Sequence, residues 1–423
     1  MRENRKGCRS IGGERGSVLV IVAFSMVMLL AVSALAIDLA NFYMARAQAQ
    51  RAADAGALAG AKAFIITGCT TSGCTSGGVQ ETLGRQQAEA AGDQNYIAGQ
   101  TASIQDSDVT FSYPTPQEPQ ITVTAGRNVP TLFAKLFGIA TAKVSARATA
   151  EAYNTSGGGS APVGTACLKP FLVPNCDPTH TSPVNPVCAD GSTNRGLIFD
   201  PTTGAVEHPQ TYPAGIIGMS WQLHTEAAPS QWYLVGFGDA PPSSGNALRN
   251  HIIECASGIY TCGTTLTTAN GNMVGPVSQG IQTLINADAY GFNHNQDSID
   301  TSVGPPFAIT GGMNNPNPAL RGKVFYDYSE SPSVATVPVY SGNALVPGGS
   351  GVTIVGYLQI FIQDVVHKGN DDHIDVVILN AASCGGTSGG SGSPPSGGAG
   401  GGTVGPVIAA GGSPIPIRLI RTN

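Results

Sequence analysis

His367, Asp371, Asp372, His373 and Asp375 fall within nine residues of one another. Imidazoles and carboxylates so spaced are donors for a divalent cation, which makes His367, Asp371, Asp372 and His373 the candidate metal ligands of the chain. The same stretch, Lys368-Gly-Asn-Asp-Asp, lies between two apolar alternating runs, and Gly, Asn and Asp are what a hairpin turn requires. Turn chemistry is the stronger reading, so neither a metal nor any other cofactor is expected. A second polar cluster, Asp288, Asp297 and Asp300 beside His294 and Asn295, lacks the closing Glu of a calcium loop and reads as a solvated loop. Gly386-Thr-Ser-Gly-Gly has the spacing of a hydrolase elbow, but that motif needs a strand before the Ser and a helix after it, and a glycine tract supplies neither. Trp221, Trp232 and Tyr233 offer faces for a glycan or peptide, although tryptophans near short strands are more often core. His180, His208, His224 and His251 stand apart from any nucleophile pattern, and no P-loop, dinucleotide or HExxH motif occurs. The chain is expected not to be an enzyme.

Charge removes another class. With 21 Lys+Arg against 27 Asp+Glu, a net charge of −6, there is no basic surface for nucleic acid. Only 11% of the 423 residues are charged, against about 25% in an ordinary globular protein. The 56 Gly and 29 Pro imply many turns, while 41% hydrophobic residues suffice for a core.

The opening of the chain is its clearest signal. Residues 1–15 form a basic tail with Arg2, Arg5, Lys6, Arg9 and Arg15, and Val18 to Ile37 is then free of charge. A helix of that length spans about 30 Å, the thickness of a bilayer's hydrocarbon core. Residues 16–37 are thus expected to be a transmembrane anchor. The positive-inside rule places the tail in the cytoplasm and the rest outside it. The rival is a signal peptide cleaved after Ala36, since Ala34-Leu35-Ala36 has the small-residue pattern. Against cleavage, helical character continues past Ala36 through Asp38 to Arg46. Cysteine usage suits export: Cys8 falls in the tail, leaving eight. Cys69 with Cys74, and Cys255 with Cys262, are close enough in sequence to staple local loops; Cys167, Cys176, Cys188 and Cys384 cannot be paired from sequence.

Residues 38–153 read as one α+β unit. An Ala-rich helix continues the anchor to Phe64 and carries a small-residue stripe, Ala45, Ala49, Ala52, Gly56, Ala59 and Ala63. Such a stripe permits close backbone approach, either to the chain's own sheet or to a helix of a partner. A short helix is expected over Gln80–Ala91, strands over Val109–Tyr113, Gln120–Thr124 and Thr141–Tyr153, and a helix over Val129–Phe137. Residues 154–162 form a Gly/Ser linker. The 163–423 region reads as a β-rich, turn-rich domain. Its short strands are expected at Gly196–Phe199, Trp232–Phe237, Val324–Tyr328 and Thr336–Tyr340. Helices are expected at Ser243–Glu254 and Val277–Ala287, and the strongest strands at Val352–Val366 and His373–Leu379. A glycine-rich loop covers 385–412, and Ile415-Pro-Ile-Arg-Leu returns as an edge strand. The expected fold class is α+β: one transmembrane helix running into an Ala-rich helix on a small antiparallel sheet, then the β-rich domain.

Glu14-Arg-Gly-Ser-Val-Leu-Val, Ala36-Ile-Asp-Leu-Ala, Tyr43-Met-Ala-Arg-Ala-Gln and Ala52-Ala-Asp-Ala-Gly-Ala-Leu-Ala-Gly-Ala occur in one order, and this order resembles the N-terminal region of TadG-like proteins of Flp/Tad (tight adherence) pilus assembly. Val129-Pro-Thr-Leu-Phe-Ala-Lys-Leu-Phe-Gly and Val144-Ser-Ala-Arg-Ala-Thr-Ala are similar to the segment that follows in such proteins. The resemblance implies a single-pass protein of the bacterial inner membrane, with an extracytoplasmic body and pilus-assembly or pilin-like partners. Many members carry a von Willebrand A domain with an Asp-x-Ser-x-Ser metal site; Asp300-Thr-Ser-Val-Gly does not supply it. A pilin would carry Glu at the fifth position after Gly16, where this chain has Ile21, so prepilin processing is not expected. Two other readings remain: a surface module in 160–423 binding glycan or protein, and an extracytoplasmic hydrolase.

Overall fold

The computed structural model describes residues 15–154, 163–181, 195–223, 244–254, 258–268, 274–341, 351–366, 373–384, 407–409 and 412–420. The helices are α1 (Arg15–Ile66), α2 (Cys69–Ser72), α3 (Val79–Gly92), α4 (Gly245–Ile253) and α5 (Val274–Leu284). The strands that build the two larger sheets are, in chain order, β1 (Val109–Ser112), β2 (Gln120–Pro130), β3 (Thr141–Ala152), β4 (Val173–Pro174), β5 (Ser220–Leu223), β6 (Thr265–Thr267), β7 (Val334–Tyr340), β8 (Gly351–Val366), β9 (His373–Ser383) and β10 (Ile417–Ile420).

α1 is a single helix of 52 residues, about 78 Å long at 1.5 Å per residue. No proline interrupts it, and Ser25 and Ser33 turn their hydroxyls back onto the carbonyls of Val22 and Leu29, at 2.9 and 2.8 Å. It stops where Gly68 takes a left-handed φ of 66° and the Thr67 hydroxyl donates to Ala63 O at 2.8 Å.

The second half of α1 lies on a four-stranded antiparallel sheet of order β10-β3-β2-β1. β2 and β3 pair from Gln120↔Glu151 to Pro130↔Thr141. Their inward residues, Ile121, Val123 and Ala125 of β2 with Ala148, Ala150 and Ala152 of β3, share one core with Ala49, Ala53, Ala57 and Phe64 of α1. The C-terminal strand does return as an edge strand. The edge it takes is that of this sheet, with Ile417↔Ala152 and Ile420↔Thr149. Ile417–Ile420 therefore joins the unit built on the second half of α1.

The remainder is built on a six-stranded sheet, β5-β9-β8-β7-β4, with β6 also paired to β8. All its pairings are antiparallel except that of β4 with β7. β8 and β9 run together from Gly356↔Ser383 to Val366↔His373. Leu248 and Ile252 of α4 and Val277 and Ile281 of α5 join Val337, Leu358, Ile360 and Val376 in the second core. Ser244 starts α4, its hydroxyl accepting from Ala247 N at 3.2 Å. The fold is α+β, as expected from the sequence.

Several elements differ from expectation. The 129–137 helix does not form: β2 runs on through Pro130, and only Ala134–Phe137 coil into a 3-10 turn, ended by Gly138 at φ 83°. The Val324–Tyr328 strand shrinks to Val324–Phe325, and Gly196–Phe199 to Arg195–Gly196 with an isolated bridge at Phe199. The basic residues 1–14, the Gly/Ser linker over 155–162, the Trp232–Phe237 strand expected from the sequence and the glycine-rich stretch over 385–406 lie outside the described residues.

Candidate functional site

α1 changes character along its length. Its most apolar 18-residue window has a mean hydropathy of 2.8, and none of that window is buried. Phe24, Leu29, Leu30 and Leu35 are each at least 62% exposed, an arrangement that water disfavours and lipid does not. From Ala45 onward the same helix is the centre of a core. Length and apolar composition suffice for it to cross a membrane.

Asp38 marks the change. It is the first charged residue after the apolar run and is only 3% exposed. Its carboxylate accepts from the backbone N–H groups of Leu132 (2.7 Å), Phe133 (3.0 and 3.2 Å) and Ala134 (2.7 Å). Burial pushes this carboxyl up, but the three N–H donors and the nearby Lys135 together outweigh it and hold the group below the usual carboxylate range. Its contribution is therefore present above the pKa of a free carboxyl, about 4, and is lost only as pH falls through the lowered folded value.

The small-residue stripe faces inward. Ala45, Ala49, Ala52, Gly56 and Ala63 are buried, whereas Ala59 is only half-buried. Within the chain the stripe is covered in part by the sheet, as expected, with a Cβ at Gly56 3.3 Å from Val123 of β2, and in part by α3, which sequence reading missed. A Cβ added at Gly92 would lie 3.5 Å from Ala52 O, one at Gly56 3.0 Å from Ala88 O, and one at Gly60 2.9 Å from Gly84 O. Ala52, Gly56 and Gly60 thus meet Gly92, Ala88 and Gly84, two small-residue ridges at four-residue spacing packed antiparallel. The Gly84-x3-Ala88-x3-Gly92 spacing is visible in the sequence and was the available signal. Gly60→Val should therefore destabilise the chain by about 1–3 kcal/mol or more, because a side chain there meets the tip of Ile121 and the backbone of Gly84. Thermal melting of the detergent-solubilised protein would measure this, with the surface change Leu58→Ala, at 36% exposure, staying within about 0.5 kcal/mol.

A buried polar seam joins this unit to the six-stranded sheet. Asn380 of β9 donates to Ile65 O at 3.0 Å and to Gln359 Oε1 at 2.7 Å. Asn154 donates to both Thr70 O and Ala381 O at 3.0 Å. The Thr71 hydroxyl donates to Ala381 O and accepts from Ala381 N, each at 3.1 Å. Gln359 donates to Gly412 O at 2.7 Å. Asn154 and Asn380 are fully buried, so their amides have no water to fall back on. Asn380→Leu should cost about 1–3 kcal/mol by leaving Gln359 Oε1 without that donor, measurable by urea unfolding; Asn380→Ser should lose less.

The disulfides correct one expectation. Cys69 and Cys74 are bonded, with Cα atoms 4.6 Å apart, closing the turn at the end of α1. Cys262 bonds to Cys384, 122 residues away, and so not to Cys255. The reason is topological: β6, which follows Cys262, pairs with β8, which delivers the chain into β9 and Cys384. Cys167 and Cys176 are also disulfide-bonded.

The other sequence candidates fall as follows. His367, Asp371 and Asp372 lie outside the described residues, as do Cys188, Cys255, His224, Trp232 and Tyr233. His373 opens β9 with its Nε2 3.6 Å from Asp375 Oδ1. Among the described residues no three His, Cys, Asp or Glu side chains stand close enough to hold a metal. Asp297 is not solvated as expected but 2% exposed, accepting from Gly312 N, Asn315 Nδ2 and Ser331 Oγ. Saturated in this way it braces a loop. His208 is not isolated: its Nδ1 lies 3.3 Å from the buried Asp177. Trp221 packs against the second core.

Taken together, the best-built feature is one continuous helix that passes from exposed apolar surface into a packed core. Residues 16–63, which cover that passage, match the family described as "Putative Flp pilus-assembly TadE/G-like". No curated protein and no solved structure matches the chain.

Proposed function

We propose that this chain, with a TadE/G-like segment at residues 16–63, is a membrane-anchored, non-catalytic component of Flp pilus assembly that holds an extracytoplasmic body at a fixed distance from the inner membrane. The carrying observation is the continuity of α1: none of its apolar window is buried, and Ala49, Ala52, Ala53 and Ala57 further along are fully buried without any break in the helix. A flexible tether would need only the span. A strut needs the helix to continue into the core, and it does. The basic residues Arg2, Arg5, Lys6 and Arg9 before the span support a cytoplasmic N-terminus. The seam at Asn154 and Asn380 supports mechanical coupling, since load on the body reaches α1 through buried hydrogen bonds. With most of the stripe buried against α3 and the sheet, partners would meet the body or the span and not that face.

Deletion of the gene followed by electron microscopy of surface filaments tests the reading. Filaments should be lost and restored by the full chain. Restoration should fail with a chain carrying a Gly/Ser insertion between Asp38 and Ala45, which keeps span and body but breaks the strut. Normal filaments in the deletion would contradict the assembly role, and full rescue by the insertion variant would contradict the strut.

A further inference from the structure

The connection between β2 and β3 is unusual for a surface loop. Leu132, Phe133, Leu136, Phe137 and Ile139 are 49, 37, 77, 83 and 55% exposed, respectively. From Val129 to Lys143 the only charged residues are Lys135 and Lys143, both cationic. A loop that merely met water would not present five large apolar side chains in eight residues. The loop is also fixed in place. Its backbone N–H groups at 132–134 are held by Asp38, the residue that directly follows the apolar run of α1. One helical turn is about 5.4 Å, so this loop lies against α1 at the level where the span ends.

The geometry points to the β2–β3 loop as a second membrane contact, with these five side chains seated in the interfacial layer of the leaflet from which α1 emerges. Continuity with the span selects lipid as the occupant, because the apolar loop and apolar helix meet at Asp38 and form one surface. The charge pattern suits it too: aliphatic and aromatic groups enter the acyl boundary while Lys135 reaches phosphate headgroups. On α1, Tyr43 is 68% exposed just beyond Asp38, where interfacial aromatics gather. Two contacts define an orientation that one helix does not, so the body is held at a set tilt. Asp38 acts here as a positioning residue for the loop.

The inference rests on α1 lying in the bilayer, and the test separates the two. The full chain is reconstituted in lipid nanodiscs, and tryptophan reporters are quenched by lipids brominated near the headgroup end of their acyl chains, with the signal of the two native tryptophans subtracted. Leu30→Trp reports the span, Phe137→Trp and Leu136→Trp the loop, and Met313→Trp, on an exposed site of the body, the background. The loop reporters should be quenched at least about two-fold more than Met313→Trp, as an inserted aromatic is. Loop reporters no more quenched than Met313→Trp, with Leu30→Trp quenched, would overturn the loop contact and leave the anchor standing. An unquenched Leu30→Trp would overturn both. Because Leu136 and Phe137 are more than three-quarters exposed, replacing either leaves the core untouched, and the two must agree.

Discussion

A chain carrying Met28→Arg and Val32→Arg should leave the membrane fraction. Both positions lie mid-span and are 69 and 64% exposed, so neither arginine gains a protein partner. Of the residues from Val18 to Ile37, twelve are Leu, Ile, Phe or Val. At about −0.3 to −0.6 kcal/mol each, they favour insertion by roughly 4–7 kcal/mol in total. Two central arginines oppose it by about 2.5–3.5 kcal/mol each, which cancels that sum. Alkaline carbonate extraction followed by immunoblotting reads the outcome. The same pair of arginines at Val303 and Met313, exposed on the body, should leave fractionation unchanged. Retention of the mid-span variant in extracted membranes would mean that another part of the chain anchors it.

The second large effect concerns the disulfides, which differ in what they constrain. Cys262–Cys384 closes a loop of 122 residues and Cys69–Cys74 one of five. Loop-closure entropy in the unfolded chain then assigns about 5 kcal/mol to the first and about 2 kcal/mol to the second. The long bridge also abuts a satellite core of Leu168, Leu172, Leu266, Tyr340, Val352 and Tyr357, with Cys262 and Cys384 packed on it. Replacing Cys262 and Cys384 together by Ser should lower stability at least twice as much as replacing Cys69 and Cys74. Denaturant unfolding of the solubilised chain makes the comparison. Equal losses would mean that the two ends of the long loop are already held together by packing in the unfolded ensemble.

What the sequence disclosed follows a physical division. Local periodicity exposed the span, the Ala-rich half of α1, α3, α4 and the β8–β9 pair, because burial on one face imposes its period on the residues. Pairing over long range left no such mark. Nothing in Ile417-Arg-Leu-Ile names β3 as its neighbour, and nothing near Cys262 names Cys384. Leu132, Phe133, Leu136 and Phe137 have helical spacing and still do not form the 129–137 helix. Val129 and Pro130 are taken up by pairing with Ala142 and Thr141 of β3, and Asp38, more than 90 residues earlier, captures the N–H groups at 132–134. Polar residues in apolar runs were the overlooked signal. Asn380 stands in Ile378-Leu-Asn-Ala-Ala, where a buried amide has to find partners, and it finds them across the seam. The stripe on α1 was visible, whereas its partner could be recognised only by seeing the same four-residue spacing repeated at Gly84, Ala88 and Gly92.

The central claim is that α1 remains whole, with its apolar half in lipid and its alanine half in the body. Intact mass and N-terminal sequencing of the chain extracted from washed membranes test it most directly. The account predicts a detergent-requiring protein whose N-terminal segment, through Ile37, is still attached. A freely soluble chain beginning at Ile37 would contradict it.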